Sequence, residues 1–293
     1  MNTTDVWSLT LKTVRALREH FLPAMDKAVE ELGIPPNNTM VLLAALTFEP
    51  RTTSNAKLQV RMPYQDYSQI LTEAVQHHLL SRVGEEEFRL TDKGKKAANT
   101  IIQAAYQGMA GLEPLPLSDL EKVASFLFRV VNTCLAAPVP PGKWSISHSR
   151  RIDPSADAPV IIRIEQIITD LIAYRDDSHL AAWQPHDFSG PEWETLTVIW
   201  LSEADTLDAL VEKLSRRGFV QSTYEGEIAR LKARGLVQEH LGKLQVTAEG
   251  KELRQKAEDL TDQYFYAPWA CLNEEEKQSL GELLTRLSEN LSL

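Results

Sequence analysis

The sequence has few cysteines and no long apolar run, and both absences narrow the class of protein. Cys134 and Cys271 are far apart in the chain and have apolar neighbours. This usage is typical of core residues in a reducing compartment and argues against a disulfide framework. No apolar stretch approaches the roughly 18 residues that cross a bilayer, and the first residues lack the basic start and apolar core of a signal peptide. We therefore expect a soluble, cytoplasmic protein with no membrane partner.

The sequence also lacks the motifs of common enzyme active sites. It contains no glycine-rich phosphate loop, no nucleophile elbow and no cysteine and histidine spacing that suits a metal ion. We therefore expect no catalytic residues, no metal and no cofactor, and a protein that is not an enzyme.

Positive charge is scarce, which argues at first against a nucleic-acid partner. The formal net charge is −10, but its distribution matters more than its sum. Residues 1–138 contain 14 basic and 15 acidic side chains, whereas residues 139–293 contain 17 and 26. Two segments, Arg51–Ala97 and Leu207–Lys251, each contain 8 basic and 6 acidic side chains. A nucleic-acid surface is therefore expected in these two segments.

The same two segments contain an internal repeat. Phe88–Lys95 resembles Leu244–Lys251, and both carry a Thr-x-x-Gly-Lys step. Upstream, Tyr67, Leu71, Ala74 and Leu79 correspond to Tyr224, Ile228, Leu231 and Leu236, and downstream Leu117–Lys122 corresponds to Leu272–Lys277. Three matches in the same order and at nearly constant spacing indicate a duplication.

Each copy predicts the same series of elements. A helix is expected to begin near Asn38 in the first copy and at Ser189 in the second, where Ser189 and Glu192 suggest a capping box. The second and third helices and the two strands are predicted at Ser54–Val60, Tyr64–His78, Leu79–Val83 and Phe88–Leu90, and at Thr206–Leu214, Gln221–Arg234, Leu236–Glu239 and Leu244–Val246.

The Thr-x-x-Gly step predicts how the next helix begins in each copy. Thr91 and Thr247 are placed to cap that helix. Gly94 and Gly250, one turn later, would let the helix approach the strands closely. Three helices followed by a hairpin form a winged helix-turn-helix.

This order, followed by long C-terminal helices such as the one expected after Leu272, resembles the MarR-type transcription regulators. The resemblance covers nearly the whole chain, once in residues 1–138 and again in residues 139–293. It implies a mainly helical fold with small β-hairpin wings, built from two tandem winged helix-turn-helix units. MarR-type proteins are homodimers joined by their terminal helices. The resemblance therefore implies a monomer that acts as a pseudo-dimer, with the two winged units held apart by a shared helical hub. A second association between chains remains possible.

The joint between the copies is expected at Ala136–Gly142, where several prolines predict a stiff, extended linker. Val160–Trp183 is strongly helical in pattern and is expected to form the hub helix of the second copy.

Double-stranded DNA is the predicted partner. A recognition helix presents polar groups to base edges from its first turns, while flanking basic residues contact phosphates. The predicted DNA-binding residues are Arg61, Gln65, Ser68, Gln69, Lys213, Arg216, Arg217, Ser222, Thr223, Arg230 and Arg234.

The predicted wings favour DNA less. MarR-type wings usually carry arginine at the tip, but the first tip here is Gly84-Glu85-Glu86-Glu87 and the second is Leu241-Gly242-Lys243. Glutamates at the first tip would repel phosphate. Both halves, one half or neither could therefore bind DNA.

A small-molecule effector is a second possible partner. Five residues are candidates for a pocket that binds an anionic or aromatic compound: His148, Arg151, Arg175, His179 and Trp183. The simpler interpretation is that Arg175–His179 is an ion-paired helix end, that the aromatic residues are core, and that His148–Arg151 is a solvated loop.

Two alternative functions remain open at this point. Acidic tandem winged-helix proteins of bacterial chromosome segregation resemble this layout and use it to hold protein partners. The chain could also be a ligand sensor whose DNA-binding surfaces have degenerated. A positive surface over the two recognition helices would favour DNA, whereas an exposed apolar groove would favour a protein partner.

Overall fold

The computed structural model describes residues 2–292, which form mostly α-helices and two short antiparallel β-hairpins. The predicted fold class, mainly helical with small hairpin wings, is confirmed. Within residues 2–292, no helix is long and apolar enough to cross a membrane. Residues up to Pro138 are called the first half, and those after it the second half.

Both halves contain four helices, a hairpin and two further helices in the same order. The elements of the first half are α1 (Thr3–Glu31), α2 (Asn38–Phe48), α3 (Asn55–Gln59), α4 (Ser68–Gln76), β1 (Leu80–Arg82), β2 (Phe88–Leu90), α5 (Asp92–Met109) and α6 (Leu117–Ala136). After a short helix, α7 (Trp144–Ser149), the second half continues with α8 (Val160–Trp183), α9 (Gly190–Trp200), α10 (Leu207–Lys213), α11 (Gln221–Ala233), β3 (Val237–His240), β4 (Lys243–Val246), α12 (Ala248–Tyr266) and α13 (Glu274–Leu291).

Four long helices, α1, α6, α8 and α13, form a hub that both halves share. Helix α1 packs against α13, and α6 packs against α8, so that the first helix of each half contacts the last helix of the other. The hub core contains fully buried residues from all four helices, including Leu17, Val130, Ile164 and Leu284. Burial of this shared apolar surface holds the two halves together.

Each half also has a smaller core of its own outside the hub. The first lobe, α2 to β2, buries Leu42, Leu71 and Leu79. The second lobe, α9 to β4, buries Leu196 and Leu231. The apolar face of α4 therefore packs in the first lobe and that of α11 in the second. The opposite face of each helix is left for contacts outside its lobe.

The step from hairpin to helix is the same in both halves, as predicted. The Thr91 hydroxyl accepts a hydrogen bond from the Gly94 amide at 3.0 Å, and Thr247 accepts from Gly250 at 3.1 Å. A Cβ atom on Gly94 would lie 2.0 Å from the carbonyl oxygen of Leu79, and one on Gly250 would lie 2.3 Å from that of Leu236. The predicted caps and the predicted close approach of helix and hairpin are both confirmed.

Helix α4 begins later than predicted, at Ser68 instead of Tyr64. The side chain of Asp66 accepts hydrogen bonds from the Ser68 amide and hydroxyl, at 3.0 and 2.7 Å. Asn55 accepts a further bond from the Tyr67 amide at 2.9 Å. These bonds hold residues 64–67 as a turn, because side-chain acceptors replace the carbonyl groups that a helix would use.

At Ser189, where a capping box was predicted, the N-cap hydrogen bond is formed. Ser189 accepts a hydrogen bond from the Glu192 amide at 3.1 Å, but the Glu192 carboxylate lies 3.6 Å from Arg234. A complete capping box starts α13, where Asn273 and Glu276 bond to each other's amides.

The predicted loop around His148 is helical instead. The buried carboxylate of Asp177 accepts hydrogen bonds from the Ser145 and Ile146 amides at 2.8 and 3.0 Å, and so caps α7. A cap supplied by α8, distant in sequence, cannot be predicted from the local pattern. Of the predicted linker, Ala136–Gly142, residues 137–142 have no helix or strand, while Ala136 is the last residue of α6.

Candidate nucleic-acid interface

The second lobe contains a helix-turn-helix formed by α10 and α11. Thr206 caps α10 by accepting a hydrogen bond from the Ala209 amide at 3.2 Å. Gly218 makes the turn with φ +80°, a left-handed conformation that glycine adopts without strain. Tyr224 and Leu231 anchor α11 in the lobe core. The face that remains exposed begins with Gln221 and Ser222, and the predicted contact residue Thr223 is half-buried beside them.

Most predicted phosphate contacts of the second lobe are already paired. Lys213 lies 3.1 Å from Glu203, and Arg230 pairs with the buried Glu227. Arg217 donates to Glu194. Within residues 2–292, the exposed side chain of Arg216 has no hydrogen-bond or ion-pair partner. Arg216 is therefore the basic group that stands free in the turn before α11.

The side chain of Arg234 is held by contacts within the second lobe. Its guanidinium lies 3.7 Å from the ring centre of Phe188 and donates to the carbonyl oxygens of His186 and Asp187 at 2.9 and 3.0 Å. These contacts tie the end of α11 to the segment before α9.

The second wing is a tight hairpin. Leu241 and Gly242 form its turn with φ +51° and +75°, the pattern of a two-residue hairpin loop. Lys243 pairs with Asp205 at 2.6 Å. The wing tip is therefore apolar, because Leu241 is 89% exposed.

The first lobe presents a recognition helix without basic side chains. Ser68, Gln69 and Thr72 are exposed along α4, where they line a shallow surface groove together with Glu73 and Gln76. The first wing adds negative charge, because Glu85 and Glu86 are exposed while Glu87 pairs with Lys57 at 2.7 Å.

Two predicted contacts of the first lobe lie against the second half. Both Nε and Nη2 of Arg61 donate to Asp176 of α8, at 2.9 and 2.7 Å. Gln65 is 9% exposed and donates to the carbonyl oxygen of Arg216 at 3.1 Å. The expectation that the hub holds the two winged units apart is therefore wrong, since their turns contact each other.

Two predicted pocket residues pack on α2 of the first lobe. The His148 ring stacks on Trp144 with centroids 3.9 Å apart and bonds to the Thr47 hydroxyl at 3.0 Å. Arg151 donates to the Thr47 carbonyl oxygen at 2.6 Å. Burial, together with the positive charges of Arg151 and Arg51, lowers the pKa of His148 to about 4.

The other three predicted pocket residues pack on α9 and α12 of the second half. Arg175 pairs with Asp262 at 2.9 Å. Trp183 stacks on Trp193 with ring centroids 5.4 Å apart. Together with His148 and Arg151 on α2, the five residues therefore lie in two separate packing clusters.

His179 connects α8 to α9 and α12 as a neutral ring. Its Nε2 accepts a hydrogen bond from the Trp193 indole at 3.3 Å, while Nδ1 lies 3.3 Å from the Thr261 hydroxyl. Since that hydroxyl donates to Ala257 at 2.7 Å, its oxygen accepts, which assigns the ring proton to Nδ1. Burial lowers the pKa of His179 to about 4.

Arg254 is a buried charge in the second half that the sequence analysis missed. Arg254 of α12 is 2% exposed, and its guanidinium lies 4.4 Å from the ring centre of Trp193 and 4.8 Å from that of Trp200. It donates to Glu258 at 2.7 Å. Its position one turn after Gly250 and the number of tryptophans in α9 are the signals that could have indicated it.

Comparison with known proteins adds one finding. A family model described as "Helix-turn-helix family" matches residues 150–292, which includes α8 to α13. No match was found among curated proteins or among solved structures. The geometry of α10 and α11 agrees with this match, and the second half of the chain contains a helix-turn-helix.

Proposed function

We propose that this protein is a DNA-binding transcription regulator of the MarR-like type, whose two halves form a covalent pseudo-dimer around the shared hub. The repeated order of elements supports a pseudo-dimer. So does the reciprocal packing of α1 with α13 and α6 with α8, because a two-fold axis would relate these two contacts. A small-molecule effector remains a prediction.

The observation that carries the proposal is the exposed start of α11. Gln221 and Ser222 project from its first turn, and Arg216 stands unpaired in the turn before it. In helix-turn-helix proteins the first residues of the recognition helix contact base edges. A nearby arginine contacts phosphate. This arrangement provides both kinds of contact within one exposed surface.

The proposal is tested by the salt dependence of binding to labelled mixed-sequence duplex DNA, measured by fluorescence anisotropy. We expect affinity to fall between about 50 and 200 mM salt. Arg216→Ala should weaken binding several-fold and lower the salt slope by about one. Arg15→Ala is the matched control, because Arg15 is also exposed but lies on α1 in the hub. A wild-type protein that does not bind DNA at low salt would refute the proposal.

A protein-interaction module is the second candidate, and the pairing of surface charges favours it. Lys213, Lys232 and Lys243 all pair with acidic side chains of the same lobe, which reduces the positive field that DNA would meet. Equal losses of affinity in Arg216→Ala and Arg15→Ala would indicate non-specific attraction and would favour this candidate.

A further inference from the structure

The turns of the two helix-turn-helix units contact each other through main-chain atoms. The Asp66 amide, just before α4, donates to the carbonyl oxygen of Arg217 at 2.7 Å. The Gln65 side chain donates to the neighbouring carbonyl of Arg216 at 3.1 Å. We call this the turn contact: residues 61–66 of the first lobe against Gly190, Glu194 and residues 216–218 of the second, with Asp176 of α8. The main-chain bond from Asp66 to Arg217 fixes the distance between the two turns more closely than long surface side chains could.

Two glycines allow this close approach. A Cβ atom on Gly190 would lie 2.1 Å from the carbonyl oxygen of Pro63, and one on Gly218 would lie 2.6 Å from that of Asp66. Any side chain at either position would separate the turns. The two lobes are therefore closely packed at this point, as residues in a permanent interface are.

Two arginines complete the turn contact. Arg61 is held by two hydrogen bonds to Asp176. Arg217 donates to Glu194, and its guanidinium lies 4.8 Å from the ring centre of Tyr64. Neither arginine is free to contact a phosphate, because each already has a carboxylate partner in a partly buried position.

The turn contact also limits the distance between the recognition helices. Ser68 starts α4 two residues after Asp66, and Gln221 starts α11 four residues after Arg217. Since a chain spans at most about 3.5 Å per residue, the two helix starts lie less than about 30 Å apart. Half-sites on one face of DNA are separated by about 34 Å. The first turns of α4 and α11 therefore cannot enter successive major grooves in this arrangement.

We infer that the first lobe is a clamp that positions α11, and that α11 alone inserts into a major groove. This inference rests on the proposed function and makes it more specific. The second lobe is the reader because Arg216 is free in the turn before α11, whereas Arg61, in the turn before α4, pairs with Asp176 and the first wing exposes Glu85 and Glu86. The hub of the pseudo-dimer therefore has approximate two-fold symmetry, whereas only one of its two recognition helices contacts DNA.

The chain offers a matched pair of double variants for the test. Ser68 and Gln69 start α4, and Gln221 and Ser222 start α11, so each helix exposes one serine and one glutamine in its first turn. Gln221→Ala with Ser222→Ala should lower affinity for duplex DNA by about tenfold or more. Ser68→Ala with Gln69→Ala should change it less than twofold. Equal losses from both pairs, or no loss from the α11 pair, would overturn the inference.

Hydrogen exchange of the Asp66 amide tests the clamp without requiring DNA binding. This amide bonds across the turn contact, so it exchanges slowly only while the two lobes stay together. We expect slow exchange in the free protein and equally slow exchange with DNA in excess. Fast exchange in the free protein, or a loss of protection when DNA binds, would overturn the clamp. If the wild type binds no DNA, the proposed function fails while the exchange rate still decides whether the lobes are fixed.

Discussion

The two lobes share a scaffold but differ in what they expose. Both place a threonine cap and a glycine at the same step after the hairpin, and in both the glycine contacts a main-chain carbonyl group. Outside the cores the lobes diverge. The first lobe has no basic residue in its recognition helix and has an acidic wing, whereas the second exposes a free arginine in the turn before its recognition helix and an apolar wing tip. Equivalence between the halves is therefore a property of buried positions, and any difference in function lies at the surface.

The largest effect is expected where the lobes are most alike. Gly94→Ala and Gly250→Ala each place a methyl group within 2.0 to 2.3 Å of a carbonyl oxygen. Neither helix can yield easily, because the threonine cap holds its first turn in place. We expect each variant to lower the free energy of unfolding by about 3 kcal/mol or more, measured by urea denaturation.

Gly226→Ala is the control for these variants. Gly226 lies in α11 and nothing would lie within 4 Å of its added Cβ, so this change should stabilise the helix by about 1 kcal/mol. A small loss in Gly94→Ala beside a large loss in Gly250→Ala would mean that the two lobes do not share one packing scheme.

The second comparison concerns two histidines, each of which joins one lobe to a neighbouring helix. His148 joins α7 to the first lobe and His179 joins α8 to the second. Burial lowers the pKa of each to about 4 in the folded protein, against about 6.5 in an unfolded chain. Below pH 6.5 the unfolded chain therefore binds more protons. The contribution of each histidine to stability is complete above about pH 6.5 and is lost as the pH falls toward 4, by up to about 3 kcal/mol for His179 and by less for the more exposed His148.

Single variants separate the two contributions. His148→Gln and His179→Gln should each reduce the slope of unfolding free energy against pH between about pH 4.5 and 6.5. His77→Gln should leave this slope unchanged, because His77 is exposed at the end of α4. If only one of these two variants alters the slope, only the histidine replaced in that variant has a lowered pKa in the folded protein.

Periodic and local features of the fold could be predicted from the sequence. The order of elements, the bounds of α8 and the caps at Thr91 and Thr247 follow from patterns that span a few residues. Comparison of the two copies also predicted that Gly94 and Gly250 let the next helix approach the strands closely. These features depend on neighbours in the chain, and a single sequence contains that information.

Contacts between distant segments could not be predicted. Arg61 was expected on phosphate but pairs with Asp176, which lies in the segment Arg175–His179 that was interpreted as an ion-paired helix end. Tyr64, Asp66 and Gly190 gave no sign of the turn contact, because each has an ordinary local explanation as part of a turn or a helix start. Their partners lie more than 100 residues away, and only the packing of the hub brings them together.

The smallest expected effect concerns the two wings. If the first lobe is a clamp, its wing lies outside the DNA contact and acts only through a field that salt screens within about 8 Å at physiological ionic strength. Glu85→Gln with Glu86→Gln should therefore change DNA affinity less than about twofold under those conditions. Leu241→Glu places one new negative charge at the exposed tip of the second wing, close to the DNA, and should weaken binding several-fold through repulsion of phosphate. Anisotropy titrations of the two variants at the same salt concentration make the comparison. The result that would contradict this is a gain of affinity in the Glu85→Gln, Glu86→Gln variant as large as the loss in Leu241→Glu. Both wings would then contact DNA, and the lobes would differ only in their charge.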